Sequence, residues 1–343
     1  MSSTFVEPVL AGDQRAVARL ITYVENQHPK VQAVLSELYP HTGRAHLIGV
    51  TGSPGTGKSS LVNKLVKQVR AAQNKSVAVI AVDPTSPFTG GAILGDRVRM
   101  RELSGDPQVF IRSMASRGNL GGLARAVDDV IKVLDAAGFE LIFIETVGAG
   151  QSEVEIAKTA HTVIVVEAPG LGDDVQAIKA GILEIADIFV VNKADRPGVE
   201  RTVAALQTML QLGHASAKRV LHHGQLLSVS DGPAATEDTS SWQIPVLKTA
   251  ALKAEGIEAV VEAIDRHRAH LHQSGELLDR TRTRLIDELK SSLQAELVQR
   301  LLAKLPPDYL TRLTARLVER EVSPYAAVQE MLVAYWPGVE SKK

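Results

Sequence analysis

The stretch that decides the fold of this chain is Gly52-Ser53-Pro54-Gly55-Thr56-Gly57-Lys58-Ser59. It has the spacing G-x-x-x-x-G-K-[ST], in which glycines let the backbone curl so that successive N–H groups face phosphate oxygens. The apolar run from His46 to Thr51 precedes it as a predicted strand, and residues 58 to 72 follow as a predicted helix. This context predicts a P-loop in which Lys58 contacts phosphates and Ser59 holds Mg²⁺. The predicted phosphate-binding residues are Gly52, Ser53, Pro54, Gly55, Thr56, Gly57, Lys58, Ser59 and Ser60.

Short apolar runs of strand length recur beyond this loop, and helical stretches separate most of them. Such an alternation predicts an α/β fold with a mostly parallel sheet that helices cover on both faces. Together with the loop, it indicates a P-loop NTPase. The runs predicted as strands are residues 46–51, 77–82, 109–114, 141–144, 163–166, 188–191 and 246–247.

Helical patterns lie at both ends of the chain. Residues 8–38 have helical spacing with a break near Pro29, and after about residue 273 leucines recur at three-and-four spacing as far as Pro306-Pro307. Two more helices follow. An apolar stripe on a terminal helix has to be covered, either by its own domain or by a second copy. We therefore divide the chain into an N-terminal helical segment (1–44), a nucleotide domain (45–273) and a C-terminal helical extension (274–343).

Acidic residues follow two of the predicted strands. Glu145 ends the run that begins at Leu141, which is the position of a carboxylate that holds the Mg²⁺ shell or orients water. Asp83 ends the second strand and so lies on the ligand side of a parallel sheet, and Asp96 follows a Gly-rich segment. The place of the water-orienting glutamine of Ras-like proteins is taken by Ala149, which predicts either slow intrinsic turnover or a different group that contacts the water.

A second motif selects the base. Asn192-Lys193-Ala194-Asp195 directly follows the predicted strand 188–191 and has the pattern N-K-x-D. The carboxylate of Asp195 can accept hydrogen bonds from guanine N1–H and from its exocyclic amino group, whereas adenine offers no such pair of donors. Lys193 is expected to lie along the base or to brace the P-loop. After the last predicted strand, Thr249, Ala250 and Ala251 stand where GTPases carry a Ser-Ala segment beside guanine O6. The sequence thus predicts GTP as the nucleotide.

The bulk composition excludes several classes of protein. With a formal charge of −1 over 343 residues, no global field draws the chain to nucleic acid or to anionic lipid. The chain has no cysteine, which excludes disulfides, thiolate metal sites and a cysteine nucleophile. The N-terminus lacks the pattern of a signal peptide, and the apolar runs are shorter than a membrane span. We therefore expect a cytoplasmic protein without a nucleic-acid or membrane partner.

Taken together, these motifs resemble those of the MeaB/ArgK family, and the resemblance covers nearly the whole chain. The members of that family are GTPases that chaperone the adenosylcobalamin-dependent enzyme methylmalonyl-CoA mutase. The long run from Asp83 to Gly91 and the Glu145 segment are specific to this family among P-loop proteins. The motifs that carry the resemblance are the P-loop, residues 83–91, Gly95-Asp96-Arg97, Glu145-Thr146-Val147-Gly148, Gly172-Asp173-Asp174-Val175-Gln176 and Asn192-Lys193-Ala194-Asp195.

The resemblance implies a specific function. It implies GTP with Mg²⁺, slow hydrolysis until a mutase engages, and a homodimer formed through the C-terminal extension. Asp83, Asp96 and Glu145 match the family's acidic residues near Mg²⁺ and the hydrolytic water, and the segment from Ala168 to Lys179 matches a mobile loop that contacts the mutase. Adenosylcobalamin would be handled only through the partner, which is methylmalonyl-CoA mutase or a related acyl-CoA mutase.

Three alternatives remain at the level of sequence. Some family members carry an older label as ATP-dependent kinases of periplasmic amino-acid binding proteins, but the N-K-x-D motif favours guanine. A nickel metallochaperone GTPase usually offers cysteine or histidine clusters, whereas His267, His270 and His272 are expected to form a solvated helix face. A nucleotide-gated scaffold without useful turnover is the third. The segment Arg280-Thr281-Arg282-Thr283-Arg284, near several acidic residues, is expected to be a salt-bridged helix surface.

Overall fold

A computed structural model describes residues 3–84, 101–103, 105–116, 120–146, 158–170, 184–216, 221–222, 225–226 and 242–335. The chain divides into two compact units, Met1–Arg282 and Thr283–Lys343. The described helices that begin in the first unit are α1 (Ser3–Leu10), α2 (Gln14–Glu25), α3 (Val31–Leu38), α4 (Lys58–Gln73), α5 (Leu120–Ala136), α6 (Val199–Ser216), α7 (Ile257–Ser274) and α8 (Glu276–Leu302).

A parallel sheet of seven strands forms the centre of the first unit, in the order β3-β2-β4-β1-β5-β6-β9. An additional pair, β7 and β8, is antiparallel. The α/β fold with a sheet between helices is thus confirmed, and every predicted strand of the sheet is present. The strands are β1 (His46–Thr51), β2 (Val77–Pro84), β3 (Val109–Ser116), β4 (Leu141–Thr146), β5 (Thr162–Glu167), β6 (Ile188–Val191), β7 (Leu221–His222), β8 (Gln225–Leu226) and β9 (Val246–Lys248).

The central strands are apolar along their whole length because helices cover both faces. Every residue of β1, β4, β5 and β6 is buried. On one face, α5 and the N-terminal helices pack on side chains such as Ile80 and Ile142. On the other face, α4 and α7 pack on side chains such as Val79 and Phe143. Continuous apolar strands are what a sheet buried on both faces requires.

The N-terminal segment differs from the single broken helix that its periodicity predicts. The break near Pro29 is confirmed, but a second break separates α1 from α2. Gly12 adopts a φ of +76°, which favours glycine, and the carboxylate of Asp13 accepts a hydrogen bond from the N–H of Arg15 to cap α2. The three short helices can then pack closely against α5.

The described elements of the second unit are helices joined by turns. The last part of α8 belongs to it, followed by α9 (Tyr309–Val318) and α10 (Pro324–Tyr335). Arg316 on α9 forms a bidentate ion pair with Glu330 on α10, and Leu313 and Ala327 are buried. Among the described helices of either unit, none combines the length and apolar character that a membrane crossing requires. The domain boundaries drawn from the sequence stay predictions.

Candidate functional site

The candidate site lies where the central strands of the sheet end. Strand β1 ends at Thr51 and leads directly into the P-loop, and α4 begins at Lys58. Its neighbours β4 and β5 run parallel to it, with Val50 opposite Glu145 and Thr51 opposite Val165. The carboxyl edge of a parallel sheet is the usual place for ligands in α/β proteins.

Two glycines of the P-loop are required by the space around them. Gly52 has a φ of +129°, and a Cβ on it would lie 2.1 Å from the carbonyl oxygen of Val166. Gly57 has a φ of +93°, and a Cβ on it would lie 2.6 Å from Nδ2 of Asn192. The loop therefore follows β5 and the Asn192 segment so closely that no side chain fits at either position.

Lys58 lies inside the curl of the loop. Its side chain is 6% exposed, and its ammonium group donates hydrogen bonds to the carbonyl oxygens of Gly52 (2.7 Å) and Ser53 (3.1 Å). Thr56 stabilises the same turn by donating to the carbonyl of Ser53. The ammonium group of Lys58 thus lies beside the N-terminus of α4, which carries a partial positive charge. Together the two favour an anion at this place.

Ser59 and Glu145 are brought together in the way that their positions predict. The hydroxyl of Ser59 donates a 2.6 Å hydrogen bond to Oε1 of Glu145, although the two residues are far apart in sequence. Glu145 is 1% exposed and Ser59 is 7% exposed. Both groups offer oxygen ligands, which are what Mg²⁺ prefers, and Mg²⁺ needs few of them when phosphates and water complete its shell. The residues present therefore fit a Mg²⁺–nucleotide complex.

The remaining acidic candidates are less fully defined. Asp83 lies in the last part of β2, with its backbone opposite Ala115 on β3, which places it at the same edge of the sheet. Asp96 and Ala149 lie outside the described residues, as does the part of the Ala168–Lys179 loop from residue 171 onward. Their predicted roles stay predictions.

Asn192 connects the phosphate loop to the segment predicted to touch the base. Its amide donates a 2.8 Å hydrogen bond to the carbonyl of Thr56 in the P-loop. Its carbonyl oxygen accepts from the hydroxyl of Thr249 and from the N–H of Ala251, each at 3.1 Å. Asn192 is 2% exposed, so these bonds form inside the protein. The sequence motif identifies this asparagine, but the clamp that it forms becomes visible only in the structure.

Lys193 and Asp195 face the same loops. Lys193, whose φ is +59°, donates a 2.5 Å hydrogen bond to the carbonyl oxygen of Gly55. Of its two expected roles, bracing the P-loop is the one seen. The carboxylate of Asp195 is 36% exposed, and the ammonium group of Lys253 lies 3.6 Å from it. An accessible carboxylate beside a buried amide clamp suits recognition of a planar base with N–H donors.

The segment Thr249-Ala250-Ala251 follows β9 and lies beside Asn192. All three residues are buried, and the N–H of Thr249 donates to the carbonyl of Val191 at the end of β6. The carbonyl of Thr249 accepts from the N–H of Ala194. The departure from the usual serine does not disturb this arrangement, because the hydroxyl of threonine makes the bond to Asn192.

The histidine prediction requires a correction. His267 is fully buried, and only His272 of the three histidines on α7 is exposed. The expectation of a solvated face fails because α7 packs across the sheet and turns His267 toward the base of β5. Among the residues that the structure describes, no group of three or more His, Cys, Asp or Glu side chains could hold a metal ion.

Several known proteins resemble this chain over most of its length. The profile of the family described as "Methylmalonyl Co-A mutase-associated GTPase MeaB" matches residues 17–305. A putative GTPase of Pyrococcus horikoshii is 45% identical over 95% of this chain and 96% of its own length. The GTPase ArgK of Escherichia coli is 33% identical over 93% of this chain and 92% of its own. A crystal structure of a protein named LAO/AO transport system kinase superposes with a TM-score of 0.66 at 26% identity, with 97% of each chain covered.

Proposed function

Because this chain belongs to the MeaB family of GTPases, we propose that it is the GTP-hydrolysing chaperone of an adenosylcobalamin-dependent acyl-CoA mutase, with methylmalonyl-CoA mutase as the first candidate. Two names support this choice of partner. The family description contains the mutase, and a Caenorhabditis briggsae relative, 32% identical over 78% of this chain and 64% of its own length, is named methylmalonic aciduria type A homolog. The protein gates cofactor loading and protects the mutase, and it meets adenosylcobalamin only through that partner.

The observation that carries the proposal is the 2.6 Å hydrogen bond from Ser59 to Glu145 beside the P-loop. It brings a P-loop hydroxyl and a strand-end carboxylate to one point, as Mg²⁺-dependent phosphoryl chemistry requires. Bound Mg²⁺ supplies charge neutralisation between the phosphates of GTP. In this proposal Lys58 binds the phosphates, Ser59 is the metal ligand, and Glu145 orients the metal shell or water. Asp83 and Asp96 complete the acidic group at the metal and the hydrolytic water.

Base recognition in this proposal belongs to Asp195. Its carboxylate accepts from guanine N1–H and the exocyclic amino group, while the backbone of the segment from Thr249 to Ala251 lies beside O6. Replacement of Asp195 by asparagine removes one acceptor oxygen and adds a donor that opposes the amino group. We expect the preference for GTP over inosine triphosphate, which lacks that amino group, to fall by about tenfold or more. An unchanged preference would exclude Asp195 as the residue that selects guanine.

The proposed oligomer is a homodimer that forms through the C-terminal extension. In the described part of the second unit, α8 has no buried side chain. Several of its apolar side chains are exposed, among them Leu289 at 69% and Leu293 at 55%. Apolar side chains in this density are what a helix pairing with a second copy presents.

The test is GTP turnover with and without a purified mutase. We expect slow turnover by the protein alone and stimulation when methylmalonyl-CoA mutase or a related cobalamin mutase is added. Absence of stimulation by any such mutase would defeat the chaperone role and leave the GTPase activity intact. The name of the solved relative suggests a kinase as the alternative, and a competition between ATP and GTP distinguishes the two. Tight ATP binding with indifference to GTP would favour the kinase.

A further inference from the structure

A chain of buried polar side chains lies at the base of the sheet, on the edge opposite the P-loop. His46 and Thr162 are the first residues of β1 and β5, and Asp187 directly precedes β6. With His267 on α7 they are all at most 6% exposed. Because every strand of the sheet runs in the same direction, this edge is remote from the nucleotide, and no step proposed for GTP hydrolysis uses these groups.

The side chains are linked one to the next. Nε2 of His46 lies 2.8 Å from the hydroxyl of Thr162, and the same hydroxyl lies 2.9 Å from Nδ1 of His267. Nε2 of His267 lies 3.3 Å from Oδ1 of Asp187. The indole N–H of Trp242 donates to the backbone carbonyl of Asp187, and its ring packs against His267. The carboxylate of Asp187 is thus built into the base of the sheet.

Arg280 on α8 binds this carboxylate with both arms of its guanidinium group. Nη2 donates to Oδ1 of Asp187 at 2.8 Å and Nη1 donates to Oδ2 at 3.0 Å. Nη1 also donates to the carbonyl of His161 at 2.9 Å. A bidentate pair of this kind fixes direction as well as distance. All of these residues belong to the unit Met1–Arg282.

Asp187 is buried and Arg280 is half-buried, and each stabilises the charged form of the other. Although burial disfavours a carboxylate, contacts with His267 and Arg280 hold the pKa of Asp187 below its ordinary value. Although burial also disfavours a guanidinium cation, Asp187 raises the pKa of Arg280. Removing one partner of such a pair leaves a buried charge without its counter-ion, which is costly. Removal of Arg280 should therefore cost more than removal of an arginine from an exposed ion pair of the same helix.

The junction ahead of Arg280 is very short. Helix α7 ends at Ser274 and α8 begins at Glu276, so Gly275 is the whole connection. Gly275 has a φ of +81°, and a Cβ on it would meet no atom within 4 Å. Helix α8 also has no buried side chain. Leu277 and Thr281 in its first turns are half-buried, and Arg280 adds the bidentate hydrogen bonds that join these turns to the base of the sheet.

We propose that Arg280 is a positioning residue that latches the first turns of α8 to the base of the sheet. It holds the first turns of α8 in one orientation after Gly275, and this favours pairing of the C-terminal helices with a second copy of the chain. The inference rests on the proposed homodimer, and it does not depend on which mutase is the partner. His270 and Glu276, whose atoms lie 3.6 Å apart across the same joint, add a weaker contact.

The test compares Arg280→Met with Arg282→Met in the full-length protein. Arg282 is a matched control because it lies on the same helix, is 66% exposed and pairs only weakly, at 3.5 Å, with Asp279. Sedimentation equilibrium measures the dimer dissociation constant, and hydrogen exchange measures opening of the amides of residues 277–283. We expect Arg280→Met to weaken the dimer and to accelerate this exchange, each by about tenfold or more, while Arg282→Met changes neither by more than about twofold. Arg280→Lys, which keeps one charged bond, should be intermediate.

Several results would overturn the latch. These are a dimer constant in Arg280→Met equal to that of the unchanged protein, equal effects of the two methionine variants, or a fall in GTP affinity as large as the fall in dimer affinity, which would indicate general structural damage. If Arg280→Met fails to fold, the variant Asp187→Asn/Arg280→Met removes the unpaired carboxylate and is measured instead. A monomeric unchanged protein would refute the proposed dimer itself, whereas a dimer that is insensitive to Arg280→Met would refute only the latch.

Discussion

Mild acid should destabilise the first unit through His46. This histidine is 2% exposed at the start of β1, where its ring lies beside Thr162 and His161. Burial, reinforced by the positive charges of His161, Arg268 and other neighbours, lowers the pKa of His46 from 6.5 to about 2. The folded protein therefore keeps this ring neutral at any pH in which it works.

The magnitude follows from the difference between the folded and unfolded states. Above pH 6.5 the ring is neutral in both states, so stability does not depend on it. As pH falls below 6.5 the unfolded chain gains a proton that the folded chain refuses, and stability is lost toward the folded pKa. At pH 5 this protonation raises the equilibrium constant for unfolding by a factor of about 30, which lowers the free energy of unfolding by about 2 kcal/mol. This figure is nearly independent of the folded pKa, provided that the folded pKa lies below about 4.

The assay is urea unfolding at pH 8 and pH 5, followed by the fluorescence of Trp242. The chain has two tryptophans, so a Trp336→Phe background isolates this reporter. His46→Gln keeps a polar group near Thr162 without a titrating ring, and His272→Gln, at an exposed position on α7, is the control. The unchanged protein and the control should each lose about 2 kcal/mol more than His46→Gln between the two pH values. Equal losses in all three proteins would show that His46 is protonated in the folded state and would refute the reasoning.

Three further predictions concern the nucleotide site, each measured with a fluorescent GTP analogue or by turnover. Gly57→Ala should weaken GTP binding by about tenfold or more, because its Cβ meets Asn192, whereas Gly43→Ala, with a similar φ of +91° but open space, should not. Asn192→Ala should weaken GTP binding by about 100-fold, which is about 3 kcal/mol of binding free energy. The reason is that the carbonyl of Thr56, the hydroxyl of Thr249 and the N–H of Ala251 all lose a buried hydrogen-bond partner. Ser59→Ala should raise the Mg²⁺ concentration for half-maximal turnover by about 10- to 100-fold, and unchanged Mg²⁺ dependence would remove Ser59 from the metal site.

The positions of the strands follow from the sequence because each is a continuous apolar run. Ile188–Val191 is predicted without error, and β1 begins and ends as predicted. The order of the strands in the sheet does not follow from such runs, since it depends on which neighbours their crossover helices allow. Gly12-Asp13 is a sequence signal for the break between α1 and α2. The helical spacing of apolar residues continues across these two positions and therefore concealed the break.

The candidate site was predictable where a motif carries its own chemistry. The P-loop and Asp195 are recognised by type and spacing alone. The pairing of Ser59 with Glu145 also follows, because adjacent parallel strands end at the same edge of a sheet. Asp187 and Arg280 escaped prediction, because nothing in the sequence indicates that an arginine among exposed charges reaches a carboxylate at the start of a strand almost a hundred residues earlier.

Buried hydrogen bonds join the P-loop to the segment predicted to touch the base, and this has a consequence for control by a partner. Asn192 holds the P-loop through Thr56 and the base segment through Ala251, and Lys193 adds a bond to Gly55. A displacement of the base segment must therefore strain the phosphate loop, because the buried bonds that join them cannot be replaced by water. Helix α7 begins a few residues after that segment and ends at the joint that Arg280 latches. A partner that contacts the base segment therefore acts on the phosphate loop and on the start of α7 at the same time.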